Sequence, residues 1–351
     1  MTHFPGRSQA SGLLLVAALL LLVFPALLDP FRLNLIGKYL AFGFVAIGVV
    51  LTWGYGGILS LGQGVFFGAG GYMMAMLLKL EASAPELPDF MIWSSVDSLP
   101  AWWEPFRSFP ATLALILVLP AVFSYLFSYA IFKKRVGGVY FAIVTLALAL
   151  TFSVLIVGQQ GSTGGSNGIT DFTTLLGWDI YADSNLRNFY FVEVVLLLVT
   201  MVGAVLLINS RLGRVLIAIR DREDRVRFSG YDTARIKAFV FMIAAVLSSV
   251  GGALYTVQVG LIAPSVVGVT ASVEMVIYAA VGGRMSVPGA VIGALLIGFL
   301  KSWLSESFPE VWLYFLGAIF ILVVAVMPNG LAGAVTRFRQ PGAVHEKGAA
   351  S

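Results

Sequence analysis

Charged side chains able to bind a partner are concentrated in residues 211–232, RLGRVLIAIRDREDRVRFSGYD. This stretch holds six arginines and four acidic residues in a chain of which only 11% is Asp, Glu, Lys or Arg. A charged side chain at the centre of a bilayer costs about 2.5–3.5 kcal/mol, so ten of them cannot be embedded in lipid. We therefore predict that this stretch is a loop outside the bilayer and that its charged side chains form ion pairs.

The same stretch is patterned as a short amphipathic helix. Asp221 with Arg225, and Glu223 with Arg227, are spaced i, i+4 in the order that stabilises a helix. Gly230 is placed to end that helix. Two uses fit such a helix between membrane spans: it receives force from a soluble motor protein, or it lies on anionic lipid.

Catalytic and metal-binding patterns are not found in the sequence. There is no cysteine, and the two histidines, His3 and His345, lie in polar tails that cannot hold an imidazole in a fixed geometry. IGKY at 36–39 lacks the upstream glycine and the Ser/Thr of a P-loop, and there is no HExxH. We therefore predict no catalytic residue, no metal site, no enzyme activity and no nucleotide or nucleic-acid binding in this chain.

The elements around the charged stretch are apolar, since 59% of the chain is hydrophobic. Ten apolar segments occur, at 12–28, 34–53, 58–78, 110–132, 138–158, 190–208, 238–260, 271–283, 288–305 and 311–327. Most have the length that a helix needs to cross about 30 Å of hydrocarbon. We predict an all-α polytopic membrane protein with about ten transmembrane segments, of which 271–283 is short or broken. Segment 12–28 is expected to be retained, because the following LLDPFR has no small-x-small cleavage pattern.

The basic residues orient the chain. Segments 1–11, 54–57, 133–137, 209–237, 284–287 and 328–351 together carry 16 of the 22 Lys and Arg residues but only 5 of the 18 acidic residues. The positive-inside rule places them in the cytoplasm. The predicted organisation is a cytoplasmic tail (1–11), one transmembrane domain (12–333) with outer loops at 79–109 and 159–189, and a cytoplasmic tail (334–351).

The outer loop 79–109 is rich in tryptophan, with Trp93, Trp102 and Trp103. Two interpretations stand: the rings anchor the loop at the membrane interface, or they form a docking surface for an external partner.

Polar residues within the spans are mostly uncharged. Four charged residues, Lys38, Glu193, Glu274 and Lys301, are expected near span ends, where their side chains reach the headgroups. The absence of a charge near any predicted span centre argues against a proton- or sodium-coupled carrier. Most uncharged polar groups are expected to join helices by hydrogen bonds, and a minority to line a translocation path. The candidates for that path are Gln63, Thr145, Gln258 and Tyr278.

Glycines cluster in two places where they allow close helix packing or break a helix. They are Gly64, Gly68, Gly282, Gly283, Gly289 and Gly293.

Several stretches, in order, resemble the permeases of branched-chain amino acid type ABC importers over about residues 30–333. They are GYGGILSLGQGVFFGAGGYMMAMLL, RVGGVYFAIVTLAL, GGSNGITDF, SRLGRVLIAIRDREDRVRFSGYDTARIKAFVF, GGALYTVQVGLIAPS and YAAVGGRMSVPGAVIGALL, followed by GLAG after the last span. Within the family, LPDFMIW, RDREDRVRFSGYD and KSWLSESFPEVWLYFLGA look most like the C-type urea permease subunit. Gln63 is a departure, because many relatives have histidine there.

The resemblance implies a heteromeric importer in the bacterial inner membrane. Its parts would be this chain, a second homologous permease, two cytoplasmic ABC ATPases that bind ATP and Mg, and a periplasmic substrate-binding protein. The segment matching the ATPase-coupling loop contains Arg220, Asp221, Arg222, Glu223, Asp224, Arg225, Arg227, Phe228 and Gly230. Urea is the first expected substrate. The alternatives are a branched-chain amino acid permease and, in another class, a stand-alone channel or secondary carrier.

Overall fold

The computed structural model describes residues 6–326 and 330–333, and these are mostly helical, with almost no strand. The all-α class predicted from sequence is confirmed. The helices are α1 (Gly6–Ala18), α2 (Phe24–Leu27), α3 (Pro30–Val49), α4 (Gln63–Ser83), α5 (Asp89–Trp93), α6 (Phe109–Lys133), α7 (Val139–Gly158), α8 (Gln160–Thr163), α9 (Asp183–Asn209), α10 (Arg211–Phe228), α11 (Thr233–Val259), α12 (Val269–Gly282), α13 (Val287–Ser307) and α14 (Trp312–Val326). Two short strands, β1 (Thr174–Leu175) and β2 (Trp178–Asp179), pair antiparallel in an outer loop. The tail 334–351 and both histidines lie outside the described residues.

Eight helical stretches are long and apolar enough to cross a membrane. They are Gln9–Leu27, Pro30–Tyr55, Gln63–Ser83, Phe109–Lys133, Val139–Gly158, Asp183–Asn209, Thr233–Val259 and Val287–Ser307. The other two predicted segments form α12 and α14, of 14 and 15 residues. At 1.5 Å per residue α12 is about 21 Å long, which is less than the roughly 30 Å of hydrocarbon. The prediction of a short helix at 271–283 is confirmed.

Polar caps fix where the long helices start. The Asp29 carboxylate accepts a hydrogen bond from the Arg32 N–H, and Pro30 is the first residue of α3. At the start of α13 the Ser286 hydroxyl accepts from the Gly289 N–H. Such caps satisfy N–H groups that have no partner in a first helical turn.

The backbone is irregular between α3 and α4. Helix α3 continues as a π-helical segment, Val50–Tyr55, and residues 57–62 then run without regular structure to the start of α4. The predicted span 58–78 is therefore wrong at its first residues. The Leu61 N–H donates to Thr145 Oγ1 on α7, at 3.0 Å, which gives the non-helical backbone a partner away from water.

One end of the bundle gathers the segments that the sequence assigns to the cytoplasm. The Gln9 amide and the Tyr55 hydroxyl both donate to the Met285 carbonyl, at 3.0 and 2.9 Å. The Arg220 guanidinium donates to the Gly54 carbonyl at 2.8 Å. We call this the basic end.

The opposite end, the acidic end, joins the two long outer loops to the segment after α11. Ile169 and Ile262 form an antiparallel β-bridge there. Trp103 is buried, and its indole N–H donates to a backbone carbonyl of the second loop. Trp93 and Trp102 are exposed, so of the three tryptophans in the loop 79–109 these two are available for lipid or a partner.

Close helix contacts explain the clustered glycines. A Cβ on Gly64 would lie 2.6 Å from the Val267 carbonyl oxygen, and one on Gly289 would lie 2.5 Å from the Gly282 carbonyl oxygen. Gly68 likewise contacts Val267, and Gly293 contacts the α12 backbone. Gly283 follows the last residue of α12 with φ +121°, a conformation that favours glycine.

Candidate functional site

The charged stretch forms α10, which lies across the basic end. Gly213, Leu216 and Ile219 are buried on its inner face, and the arginines Arg214 and Arg225 are exposed on its outer face. The amphipathic helix expected from sequence is present, but it starts at residue 211 and is longer than the short helix predicted.

The helix is interrupted at Arg222, whose φ of −154° and ψ of 76° are not helical. Consequently Asp221 does not reach Arg225 one turn later, and its ion pair is with the adjacent Arg220, at 3.0 Å. The predicted Asp221–Arg225 pair is therefore wrong. The second half of α10 ends at Phe228, and Gly230 follows with φ +87°.

Glu223 anchors the second half of α10 to the bundle. Its carboxylate accepts hydrogen bonds from Lys237 Nζ (2.8 Å), Thr233 Oγ1 (3.0 Å) and Arg227 Nη2 (3.1 Å). The predicted Glu223–Arg227 pair thus forms. Burial raises the pKa of Glu223, but the hydrogen bond and charge of Lys237, with Thr233 and Arg227, outweigh it and hold the pKa below its ordinary value.

Arg220 connects α10 to two interruptions between membrane helices, which we call the two breaks: the irregular backbone between α3 and α4, and the turn between α12 and α13. Its Nη1 donates to the Gly54 carbonyl, at 2.8 Å, just before the break between α3 and α4. The same nitrogen lies 3.3 Å from Met285 Sδ, in the turn between α12 and α13. One side chain of α10 therefore contacts both breaks.

Among the described residues, 6–326 and 330–333, nothing covers the outer surface of this region. Phe228 is 92% exposed, and no atom lies within 4 Å of a Cβ placed on Gly230. Arg222, Asp224 and Arg225 are also exposed. Charged groups surrounding an exposed aromatic ring form a surface suited to a protein partner.

A second feature lies near the acidic end, in a cavity of about 600 Å³ between α3, α12, α13 and α14. Of the four candidate path residues, Tyr278 lines this cavity. Gln63 accepts a hydrogen bond from the Ser248 hydroxyl, and Thr145 holds the irregular backbone. Gln258 contacts Glu193. The last three do not line the cavity, and their role in a path stays a prediction.

Glu193 is placed differently from the sequence expectation. It lies ten residues into α9 and is fully buried, where Gln258 Nε2 donates to its carboxylate at 2.8 Å. A Cβ on Gly37 would lie 2.6 Å from that amide nitrogen, so glycine makes room for the pair. The expectation that Glu193 reaches the headgroups is wrong, because α9 begins at Asp183, earlier than the predicted span.

Comparison with known proteins matches residues 31–324 to the family model described as "Branched-chain amino acid transport system / permease component". The chain is 25% identical over 349 residues to the high-affinity branched-chain amino acid transport system permease protein LivM of Escherichia coli K12, covering 93% of this chain and 76% of LivM. It is 24% identical to the corresponding protein BraD of Pseudomonas aeruginosa, covering 83% and 91%. It is 28% identical to LivH of Salmonella typhimurium over 54% of this chain and 64% of LivH. No solved structure matches.

Proposed function

The chain belongs to the family of branched-chain amino acid transport permease components, and from this membership we propose that it is a pore subunit of an ATP-driven importer in the bacterial inner membrane. In this proposal a second, related permease completes the pore. Two ABC ATPases, which hold ATP and Mg²⁺, bind the basic end, and a periplasmic binding protein delivers substrate to the acidic end.

The observation that carries the proposal is the attachment of α10. Its first half packs through Leu216 and Ile219, and its second half is held by Glu223. The exposed surface around Phe228 is therefore held in place by contacts along both halves of α10. A rigid support is needed if a push from an ATPase is to reach the breaks next to Gly54 and Met285.

Variants at this exposed surface also test the alternative that α10 lies on anionic lipid. Arg225→Glu reverses one exposed charge that has no ion pair among the described residues, and Arg214→Glu is the matched control on the first half of the helix. We expect Arg225→Glu alone to abolish co-purification of the ATPases and ATP-driven uptake. If both survive, α10 is not the coupling element.

We propose an amino acid as the substrate. LivM and BraD are named as high-affinity branched-chain amino acid permeases. The urea prediction rests on three stretches of sequence, LPDFMIW, RDREDRVRFSGYD and KSWLSESFPEVWLYFLGA. No relative named above is a urea permease, so urea stays a prediction and is the second substrate to test.

The test is uptake by the complete complex in proteoliposomes, with radiolabelled leucine and radiolabelled urea in parallel. We expect leucine uptake that requires ATP and the binding protein. Urea uptake without leucine uptake would refute the amino acid assignment. Flux through this chain alone, independent of ATP, would identify a stand-alone channel or secondary carrier and refute the importer.

A further inference from the structure

The cavity near the acidic end has charged groups of both signs in its wall. Glu274 on α12 is buried, and its Oε2 lies 2.7 Å from Nζ of Lys301 on α13. Lys38 on α3 also lines the cavity, half-buried, close enough to Lys301 for their charges to repel each other. Within the described residues Lys38 has no ion-pair partner. The cavity therefore offers an unneutralised ammonium beside an ion pair.

Aromatic rings close the cavity on the side towards the basic end. Both α3 and α12 run from the acidic end to the basic end, and Phe42 and Tyr278 lie one turn further along than Lys38 and Glu274. Their ring centroids are 5.3 Å apart, and Tyr255 lies 5.5 Å from Phe42. The charged groups are thus on the outer side of an aromatic layer.

The cavity also has an apolar wall and a suitable size. Trp312 and Leu313 of α14 contribute to its lining, and Lys301 Nζ lies 5.2 Å from the Trp312 ring centroid. Its volume of about 600 Å³ falls within the range of ligand pockets, roughly 300–1,000 Å³. Two ammonium groups, one carboxylate and an apolar wall are the complement of an amphiphilic zwitterion with a carboxylate at one end.

We propose that this cavity binds the amino acid substrate, as a zwitterion, after its release by the binding protein. The proposal rests on the proposed function and adds a site to it. The substrate carboxylate lies between Lys38 and Lys301, and its ammonium group faces Glu274. The aliphatic side chain contacts Phe42 and Trp312. The aromatic layer keeps the substrate from passing further until the helices move.

The first test removes the unpaired charge. Lys38→Met keeps most of the side-chain length but removes the ammonium group. A hydrogen bond to a charged group contributes about 1.5–3 kcal/mol, so we expect maximal ATP-driven leucine uptake to fall about 10-fold to 100-fold. ATPase co-purification and the half-saturating concentration of loaded binding protein should be unchanged, and Lys38→Arg should restore uptake.

The controls remove charges on the same two helices outside the cavity. Arg32→Gln removes an exposed cation of α3, and Glu306→Gln removes an exposed anion near the end of α13. Both should transport at the wild-type rate. A photoreactive leucine analogue, added to the complex, should label peptides that line the cavity in wild type and in the controls, but not in Lys38→Met.

The outcomes separate failure of the site from failure of the function. No ATP-driven amino acid uptake by the wild-type complex would refute the amino acid assignment made under the proposed function, and the variants at the cavity would then not be the cause. Normal uptake by Lys38→Met, or equal labelling in Lys38→Met and Arg32→Gln, would overturn the cavity proposal and leave the importer standing. A phospholipid that co-purifies with wild type and is lost from Lys38→Met, with uptake unchanged, would identify a lipid site and overturn it as well.

Discussion

Replacing Arg220 by methionine tests whether α10 transmits movement to the membrane domain. This side chain donates to the Gly54 carbonyl at 2.8 Å and lies 3.3 Å from Met285 Sδ, so it joins α10 to both breaks. Methionine preserves apolar contact along the side chain but cannot donate. We expect Arg220→Met to insert, to bind the ATPases and to hydrolyse ATP, but to move little substrate for each ATP.

The magnitude depends mainly on the Gly54 bond. A hydrogen bond from a charged donor contributes about 1.5–3 kcal/mol. The ion pair with Asp221 contributes less, roughly 0.2–1 kcal/mol, because such exposed pairs are screened by water, and the two side chains are 30% and 59% exposed. Losing the Gly54 bond therefore shifts the equilibrium between attached and detached α10 by about 10-fold to 100-fold.

The assay measures ATP hydrolysis and leucine uptake in the same proteoliposomes, and the ratio of the two is the readout. Asp221→Asn is the matched control, because it removes the exposed ion pair and leaves the Arg220–Gly54 bond. A normal ratio in Arg220→Met, or an equal fall in both variants, would refute the transmission through Arg220.

Three further predictions concern contacts that stabilise the fold. Glu193→Gln keeps an acceptor for the Gln258 amide, so its melting temperature should stay near that of wild type. Glu193→Leu leaves that buried amide without a partner and should lower the free energy of unfolding by about 1–3 kcal/mol. Equal melting temperatures for the two variants would contradict this. Gly293→Ala places a methyl group against the α12 backbone and should lower the melting temperature, since overpacking costs about 1–3 kcal/mol. Gly203→Ala is the control, with nothing within 4 Å of the new Cβ, and should be neutral or stabilising. Because the pKa of Glu223 is held below its ordinary value, the stability it contributes is complete above the unfolded pKa of about 4.3 and is lost as pH falls through the lower folded pKa. The difference in melting temperature between wild type and Glu223→Gln should therefore be constant from about pH 5.5 to 8 and should shrink as pH falls below the unfolded pKa of about 4.3; a difference that stays constant in acid would contradict the cluster.

Local patterns predicted much of α10. The i, i+4 spacing indicated a helix, and both the Glu223–Arg227 pair and the stop at Gly230 follow from neighbours in sequence. The absence of the Asp221–Arg225 pair could not be predicted from local sequence. The helix is interrupted at Arg222, next to the contact of Arg220 with the Gly54 carbonyl, which is distant in sequence. Tertiary contacts override local helix preference at such positions.

Hydropathy predicted the helices but not the break before α4. Residues 57–62 include Ile58 and Leu61 and are as apolar as a span. A hydropathy scale measures the free energy of transferring side chains from water to an apolar environment. The break depends instead on whether its backbone N–H groups find hydrogen-bond acceptors. The partner here is Thr145, 84 positions further along the chain, and no local pattern indicates it.

Buried charge was the least predictable feature, since it depends on pairs distant in sequence. Glu193 and Gln258 are 65 positions apart, and Glu274 and Lys301 are 27 apart. The position of a residue within a span indicates how far its side chain must extend to reach water. It does not indicate which neighbouring helix packs against that side chain. The sequence could therefore name each of these residues without showing that they meet.

Helix α12 connects the two candidate sites. Glu274 and Tyr278 face the outer cavity, and the turn that follows α12 contains Met285, which Arg220 contacts. The helix is only 14 residues long, and if it moves as one rigid body, a shift at its inner end, Gly282, displaces Glu274, about 12 Å away along the helix. A push from an ATPase on α10 would then separate the rings of Tyr278 and Phe42 and open the aromatic layer. A crosslink is a direct test of this coupling, because the chain has no cysteine of its own. Cysteines introduced at 42 and 278 and joined by a reducible thiol-reactive linker should stop uptake while ATP hydrolysis continues, and reduction should restore uptake; unaffected uptake in the crosslinked protein would show that α3 and α12 do not separate during transport.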